Sequence, residues 1–317
     1  MDFKNLKKKI FISIIVGIII FAGLSIYSDF TKITKIFLTF NYKYIPLILI
    51  LAPLNYCFRY IKWNYYLKKI NICINSKDNM LIFASALAMT VTPGKIGELL
   101  KSYLLKERNN IPISHTAPLI MTERLTDGIS MIILASFGVL IYDYGKGILF
   151  FVILFMVMFI FLVQSPKIIN KLISLLGKIK ILKKHSESFK IFYQNTYMLF
   201  KIKPLLFAIM IGVISWSFEG LIIFLTLKAM GIKISLLASI FIVSFSSIVG
   251  AISMLPGGLL AAEGSIFGLL LLMKIPKDIA TITTIITRFS TLWLGVLIGI
   301  IALFLVQKKM FIERKMD

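Results

Sequence analysis

Long runs of apolar residues, separated by short basic stretches, dominate the pattern along this chain. A helix needs about 20 apolar residues to cross the hydrocarbon core of a bilayer, and six runs approach or exceed that length. These runs cover residues 10–28, 44–61, 117–142, 148–164, 204–227 and 279–306. The pattern therefore predicts an all-α polytopic membrane protein with about six long transmembrane helices.

Two further apolar regions, residues 80–105 and 236–273, are interrupted near their centres. The first break contains Pro93, Gly94, Lys95, Gly97 and Glu98, and the second contains Pro256, Gly257 and Gly258, with Glu263 after it. Because proline removes a backbone donor and glycine weakens a helix, each region is predicted to form a re-entrant helix–break–helix hairpin. Whether the hairpin arms cross the membrane fully stays open. In hydrocarbon, such breaks require protein or a water-filled cavity to satisfy their backbone groups.

The two broken regions share a pattern with the spans that follow them. In each copy a glutamate follows the Pro-Gly break, and an arginine lies in the next span, 31 residues after the proline in one copy and 32 in the other. Three crossings separate the hairpins, so the two copies would face opposite ways across the membrane. The spacing predicts an inverted repeat, with halves at about 80–142 and 236–306, inside a single membrane domain covering residues 1–317.

Composition and charge narrow the class further. Hydrophobic residues make up 58% of the chain, which excludes a soluble enzyme, and the net charge of +22 lies between apolar runs, where it suits anionic lipid headgroups and not nucleic acid. With the N-terminus inside, 25 Lys and Arg residues fall on the inner side and 8 on the outer side. The positive-inside rule therefore predicts a multi-pass protein of the plasma (inner) membrane with both termini in the cytoplasm.

The longest polar stretch, residues 165–203, contains nine lysines. Apolar residues recur among them at helical spacing between Ile168 and Ile179, which predicts a basic cytoplasmic amphipathic helix lying on the inner leaflet. Such a segment either recruits anionic lipid or is an ordinary cytoplasmic loop, and we favour the ordinary loop.

The remaining chemistry-bearing residue types show no cofactor signature. The two cysteines and two histidines have no disulfide or metal-ligand spacing, and no phosphate-binding loop for a nucleotide is visible. No metal and no cofactor are therefore expected.

Charged residues at membrane depth are the candidate functional groups, since each costs about 2.5–3.5 kcal/mol on insertion scales. They are Lys95, Glu98, Glu123, Arg124, Asp127, Glu219, Glu263 and Arg288. The planar fork of arginine suits a phosphate, so Arg124 and Arg288, together with Lys95, are the predicted ligands of an anionic headgroup. The carboxylates are predicted to balance these cations or to carry a coupling proton.

A structural explanation competes for part of this set. Glu123 and Asp127 are four residues apart and share a helix face, while Arg124 points about 100° away and can reach a different neighbour. These three residues lie near one end of their span, where they can sit at headgroup level and simply pair with each other. Glu98 and Glu263 occupy matching places after the two breaks, which favours a functional role.

Three segments resemble the signatures of the lysylphosphatidylglycerol synthase transmembrane region, also called the flippase-like or UPF0104 membrane family. They are TPGKIGELLKSYLL (92–105), TERLTDGISM (122–131) and LPGGLLAAEGSIFGLLLL (255–272). In bifunctional members, the resemblance implies, this region translocates aminoacylated phosphatidylglycerol and a separate cytoplasmic domain synthesises it. No match to that domain is seen, so no lysyltransferase activity is expected.

The resemblance also implies which positions matter. It carries over Pro93, Gly94, Gly97, Glu98, Glu123, Arg124, Asp127, Pro256, Gly257, Gly258, Glu263 and Arg288. Lys95 and Leu260 stand where the family commonly has glycine, so the local backbone is expected to differ there.

The sequence as a whole favours translocation of an anionic lipid, either a phospholipid or a polyprenyl-phosphate-linked carrier, between leaflets. One alternative is an integral-membrane transferase acting on a lipid-linked substrate, with Glu98 or Asp127 as general base. Another is a non-catalytic partner that docks a cytosolic synthase through residues 165–203. A homo-oligomer is also compatible with the sequence.

Overall fold

The structure is a computed structural model that describes residues 11–12, 15–23, 26, 30–142, 146–165 and 186–316. All regular structure within these residues is helical, which confirms the predicted all-α class. The helices are α1 (Phe30–Thr39), α2 (Ile45–Lys69), α3 (Ser76–Leu87), α4 (Leu100–Asn109), α5 (Ile113–Tyr142), α6 (Lys146–Val163), α7 (Ser186–Leu199), α8 (Ile202–Ala229), α9 (Leu236–Ile252), α10 (Ala261–Leu272), α11 (Lys277–Arg288) and α12 (Leu294–Met316).

Several of these helices coincide with the predicted spans. Within the described residues, three helical stretches are long and apolar enough to cross a membrane: Tyr42–Lys69, Ile202–Ala229 and Lys277–Lys309. The predicted spans 117–142 and 148–164 are helices α5 and α6, and their crossing of the membrane stays a prediction. The predicted span 10–28 and the amphipathic helix at 168–179 lie partly or wholly outside the described residues.

Both predicted helix breaks are present. In the first, α3 ends at Leu87, a 3-10 turn covers Pro93–Leu99, and α4 follows. In the second, a 3-10 turn at Pro256–Gly258 separates α9 from α10. Gly257 and Gly258 have φ values of +63° and +64°, a left-handed conformation that glycine adopts at little cost. The two breaks contact each other, so the elements predicted to form the two halves of a repeat meet at their interrupted centres.

Helix α8 lies at the centre of the bundle and packs against α2, α5 and α9. Small residues allow these close contacts: a Cβ at Gly212 would collide with Ser130 of α5, and one at Gly220 would meet Ile240 of α9. Close packing of this kind is typical of membrane helices, which associate through small residues because lipid provides little hydrophobic drive between them. Polar residues of α8 are thereby held inside the protein.

Helices α11 and α12 are joined by a single π-helical turn, Phe289–Trp293, which begins directly after Arg288. A π turn frees backbone groups and is frequent at functional sites. Here the Tyr56 hydroxyl of α2 donates a 2.8 Å hydrogen bond to the Thr291 carbonyl. The π turn thus links Arg288 to helix α2.

Candidate functional site

A cavity of about 240 Å³ lies where the two breaks meet. Helices α2, α5, α8 and α9, both breaks and the α11–α12 junction contribute to its wall. Its charged lining residues are Arg59, Arg124, Asp127, Glu219 and Arg288. A polar wall of this kind is the environment that irregular backbone at membrane depth requires.

Arg124, on α5, is held by three carboxylates. Its Nη2 atom lies 2.9 Å from Asp127, 3.3 Å from Glu123 and 3.3 Å from Glu98 of the first break. The arginine therefore does reach a neighbour beyond its own helix turn, and it also pairs within that turn. Its side chain keeps 22% of its surface exposed, whereas the three carboxylates are buried.

Three further cations, on α2 and α4, contact the carboxylates that surround Arg124. Lys101 of α4 lies with its Nζ 2.5 Å from Glu123, and Lys62 of α2 is paired with Asp127. Arg59 of α2 approaches Glu123 at 3.5 Å and Glu98 at 3.8 Å. Burial of so many charges is tolerated because each is opposed by a partner.

The charge count places Arg59, Lys62 and Lys101 among the 25 basic residues of the inner side, and the structure shows that all three are buried inside the helical bundle. Helix α2 runs on to Lys69, beyond the apolar stretch, and turns Arg59 and Lys62 toward α5. Their spacing of three residues, in register with buried Tyr66 one turn later, was the signal that could have revealed an inward polar face. Without these three residues, basic residues remain more numerous on the predicted inner side of the membrane than on the outer side. The orientation of the protein stays a prediction.

In the second half of the chain, Arg288 pairs with fewer carboxylates than Arg124 does. Arg288, at the end of α11, donates from Nε to Glu263 Oε1 at 2.7 Å and from Nη2 to the Gly257 carbonyl at 2.8 Å. Glu263 is 1% exposed and Arg288 12%. In each half, the glutamate of the break therefore lies in an ion pair with the arginine of the following helix. The roles assigned to these residues stay predictions.

Glu219, on α8, faces the same cavity from the opposite wall. Asn55 of α2 donates to it at 3.4 Å and also donates to the Ser215 carbonyl at 2.8 Å. Asn55 is a partner that sequence reasoning did not identify, since an uncharged side chain in an apolar run carries no charge signal.

The first break owes its shape to Gly97. The Gly97 amide donates to Thr92 Oγ1 at 2.9 Å, and a Cβ at this position would lie only 2.7 Å from the Thr92 side chain. Pro93 precedes it at the start of the 3-10 turn. The side chain of Lys95 lies outside the part of the chain that the structure describes, so its predicted headgroup contact stays a prediction.

The chemistry available in this cavity is ionic. In the described part of the chain, no group of three His, Cys, Asp or Glu side chains is arranged to hold a metal ion. Arg124 and Arg288 instead reach one cavity from the two halves of the chain, each paired with a carboxylate, and Arg59 lines it as well. Such an arrangement suits exchange of a carboxylate partner for a phosphate.

Comparison with known proteins agrees with this description. A UPF0104 membrane protein of Methanocaldococcus jannaschii is 26% identical over 235 residues, which is 71% of this chain and 97% of that protein. A UPF0104 membrane protein of Methanothermobacter thermautotrophicus is 29% identical over 109 residues, 34% of this chain and 32% of that protein. Residues 14–299 match the family described as the lysylphosphatidylglycerol synthase TM region. The chain therefore belongs to this family of membrane proteins.

Proposed function

We propose that this protein translocates an anionic lipid, a phospholipid or a polyprenyl-phosphate-linked carrier, between membrane leaflets. One observation carries the proposal: Arg124 and Arg288, which come from the two halves of the chain, line the same cavity. Cations buried at membrane depth are costly and mark substrate pathways. The family's link to lysylphosphatidylglycerol synthase supports a lipid-related role.

In the structure, Arg124 and Arg288 are held in ion pairs. Without Glu263, the Arg288 guanidinium would lose its carboxylate partner in a low-dielectric interior, which is strongly unfavourable, whereas Arg124 would keep Glu123 and Asp127 if Glu98 were removed. A phosphate or phosphodiester offers the same oxygen geometry as a carboxylate and accepts paired N–H donors. Substrate therefore replaces one set of oxygens with another, and the carboxylate it displaces either keeps part of the contact or takes up a proton.

Movement between leaflets would use the two breaks. The breaks touch each other, and Arg288 is bonded to the second one through the Gly257 carbonyl. In transporters with inverted repeats, rocking of one half against the other exposes a central site alternately to each side. The proposal includes the plasma membrane as the location and cytoplasmic termini as the orientation.

Leaflet exchange in proteoliposomes tests the proposal. The labelled lipid is phosphatidylglycerol with a fluorophore on one acyl chain, in phosphatidylcholine vesicles, and a membrane-impermeant reductant reports the outer-leaflet fraction. Native protein should give exchange well above that of empty vesicles, and Arg288→Ala and Glu263→Gln should lose it.

Matched controls come from a second ion pair. Arg108 lies 3.0 Å from Asp78, also with a largely buried side chain, but neither residue lines the cavity. Arg108→Ala and Asp78→Asn should therefore retain exchange when reconstituted at equal density. Absence of exchange by the native chain would overturn the proposal. Equal loss in the control variants would show that damaged folding, and not a lost site, explains the effect.

A further inference from the structure

The cavity is too small to hold a whole lipid. Pockets that enclose drug-sized ligands measure about 300–1,000 Å³, and this cavity has a volume of about 240 Å³. A phosphate-containing headgroup can enter such a space, but two acyl chains cannot. The chains of a bound lipid must therefore leave the cavity through a specific opening.

The exposure of the lining residues locates that opening. Among the described residues of the wall, the three exposed ones are Ala251, Met254 and Leu255, at the end of α9 and the start of the second break. Met254 is 64% exposed and Leu255 41%. The first break closes its side of the cavity, since Thr90 and Thr92 are only 9% and 7% exposed. The cavity thus opens at one of its two breaks.

The opening is apolar and lies close to a cavity arginine. Gly257 lies two positions after Leu255 in the chain, a reach of at most about 7 Å along the backbone. The Gly257 carbonyl in turn accepts the 2.8 Å hydrogen bond from Arg288. A lipid phosphate at Arg288 would therefore place the start of its acyl chains beside Met254 and Leu255.

We infer that residues 251–255 form a lateral portal, through which an anionic lipid inserts its headgroup while its acyl chains lie against Met254 and Leu255. The inference rests on the proposed function, because it assumes a lipid as the ligand. It deepens that function by assigning the two parts of the lipid to two places: the phosphate to Arg288 and the chains to the portal. The ligand is consequently a membrane-embedded lipid and not a free headgroup.

Photolabelling tests the portal independently of transport. The native chain is reconstituted with phosphatidylglycerol carrying a diazirine close to the glycerol end of one acyl chain, irradiated, and mapped by mass spectrometry. Label should concentrate at residues 251–255 relative to Ile301 and Phe304, two exposed apolar residues of α12 that lie outside the cavity wall. Arg288→Ala should lower portal labelling about tenfold, the loss expected for one charge-assisted hydrogen bond.

A size substitution provides the second measurement. Met254→Trp should slow leaflet exchange by narrowing the portal, whereas Leu272→Trp should not, since Leu272 is 80% exposed on α10 and lies outside the wall. Because both positions are at the surface, neither change is expected to prevent folding. Both variants are compared with the native chain at equal reconstitution.

The outcomes separate the portal from the proposed function. Labelling that is no greater at 251–255 than at Ile301 and Phe304, or that ignores Arg288→Ala, overturns the portal. Normal exchange by Met254→Trp overturns it also, and leaves translocation standing. Concentrated, Arg288-dependent labelling without any exchange supports the portal as a lipid site and removes translocation. Labelling replaced by cross-links between two copies of the chain would identify this face as a homo-oligomer contact and overturn the inference.

Discussion

Two lysine–carboxylate pairs of nearly equal length should differ strongly in their contribution to stability. Lys101 lies 2.5 Å from Glu123, and Lys309 lies 2.7 Å from Asp78. The Lys101 side chain is 1% exposed and that of Lys309 is 46% exposed. Burial is thus the main variable, and replacing each lysine by methionine, which keeps most of the apolar stem, tests what burial does to an ion pair.

The structure sets the magnitudes. Removing one partner of a buried ion pair costs about 3–5 kcal/mol, because the other charge is left uncompensated. Glu123 would keep Arg124 at 3.3 Å and Arg59 at 3.5 Å, so Lys101→Met should fall at the low end, about 3 kcal/mol. Lys309→Met should cost no more than about 0.5 kcal/mol, since exposed pairs contribute little.

The assay is equilibrium unfolding in mixed dodecylmaltoside and dodecyl sulfate micelles, followed by tryptophan fluorescence. Glu123→Gln should also destabilise the protein, and the double variant with Lys101→Met should lose clearly less than the two single losses together. Lys101 does not line the cavity, so folded Lys101→Met should retain leaflet exchange. A loss below about 1 kcal/mol, or strictly additive single losses, would refute the claim that this pair is a buried, coupled unit.

Two backbone positions give further predictions. Leu260 has φ +70°, a conformation that costs a non-glycine residue about 1–3 kcal/mol. Because glycine loses more backbone entropy on folding, Leu260→Gly should recover only part of this cost and stabilise the protein by about 1 kcal/mol in the same unfolding assay. An unchanged or lower stability would contradict strain at this site. Gly299→Ala should destabilise it by about 1–3 kcal/mol, because the added Cβ would collide with the Ala88 backbone. Gly268→Ala, where nothing lies within 4 Å, should be neutral or stabilising by up to about 1 kcal/mol, and thermal melts in detergent compare the two alanine variants.

The features that could be predicted from the sequence depend on residues that lie close together in the chain. A Pro-Gly pair lies near the centre of each interrupted apolar region, so both breaks could be located without knowledge of the neighbours. The cost of an unpaired charge in the membrane indicated that the buried carboxylates and cations would need partners, although not which residues would pair.

The features that were missed depend on distant partners. Lys101 reads as a loop charge because the apolar run ends nearby, and only packing of α4 against α5 brings it to Glu123. Lys62 and Arg59 also look like loop charges in the sequence. A count of charges does not show that helix α2 continues past the apolar run and stays inside the protein. Asn55 carried no charge and was not considered.

Of the three arginines that line the cavity, Arg124 and Arg288 differ in their partners, and under the proposed function this difference gives the two halves different tasks. Arg124 is surrounded by Glu98, Glu123 and Asp127, which are fixed in turn by buried cations. Arg288 gives up only one carboxylate and one carbonyl when it turns to a substrate. The carbonyl belongs to the second break, beside the open wall of the cavity. Under the proposed function, a lipid phosphate bound at Arg288 would therefore loosen the second break, and the second half would couple binding to motion while Arg124 keeps its partners.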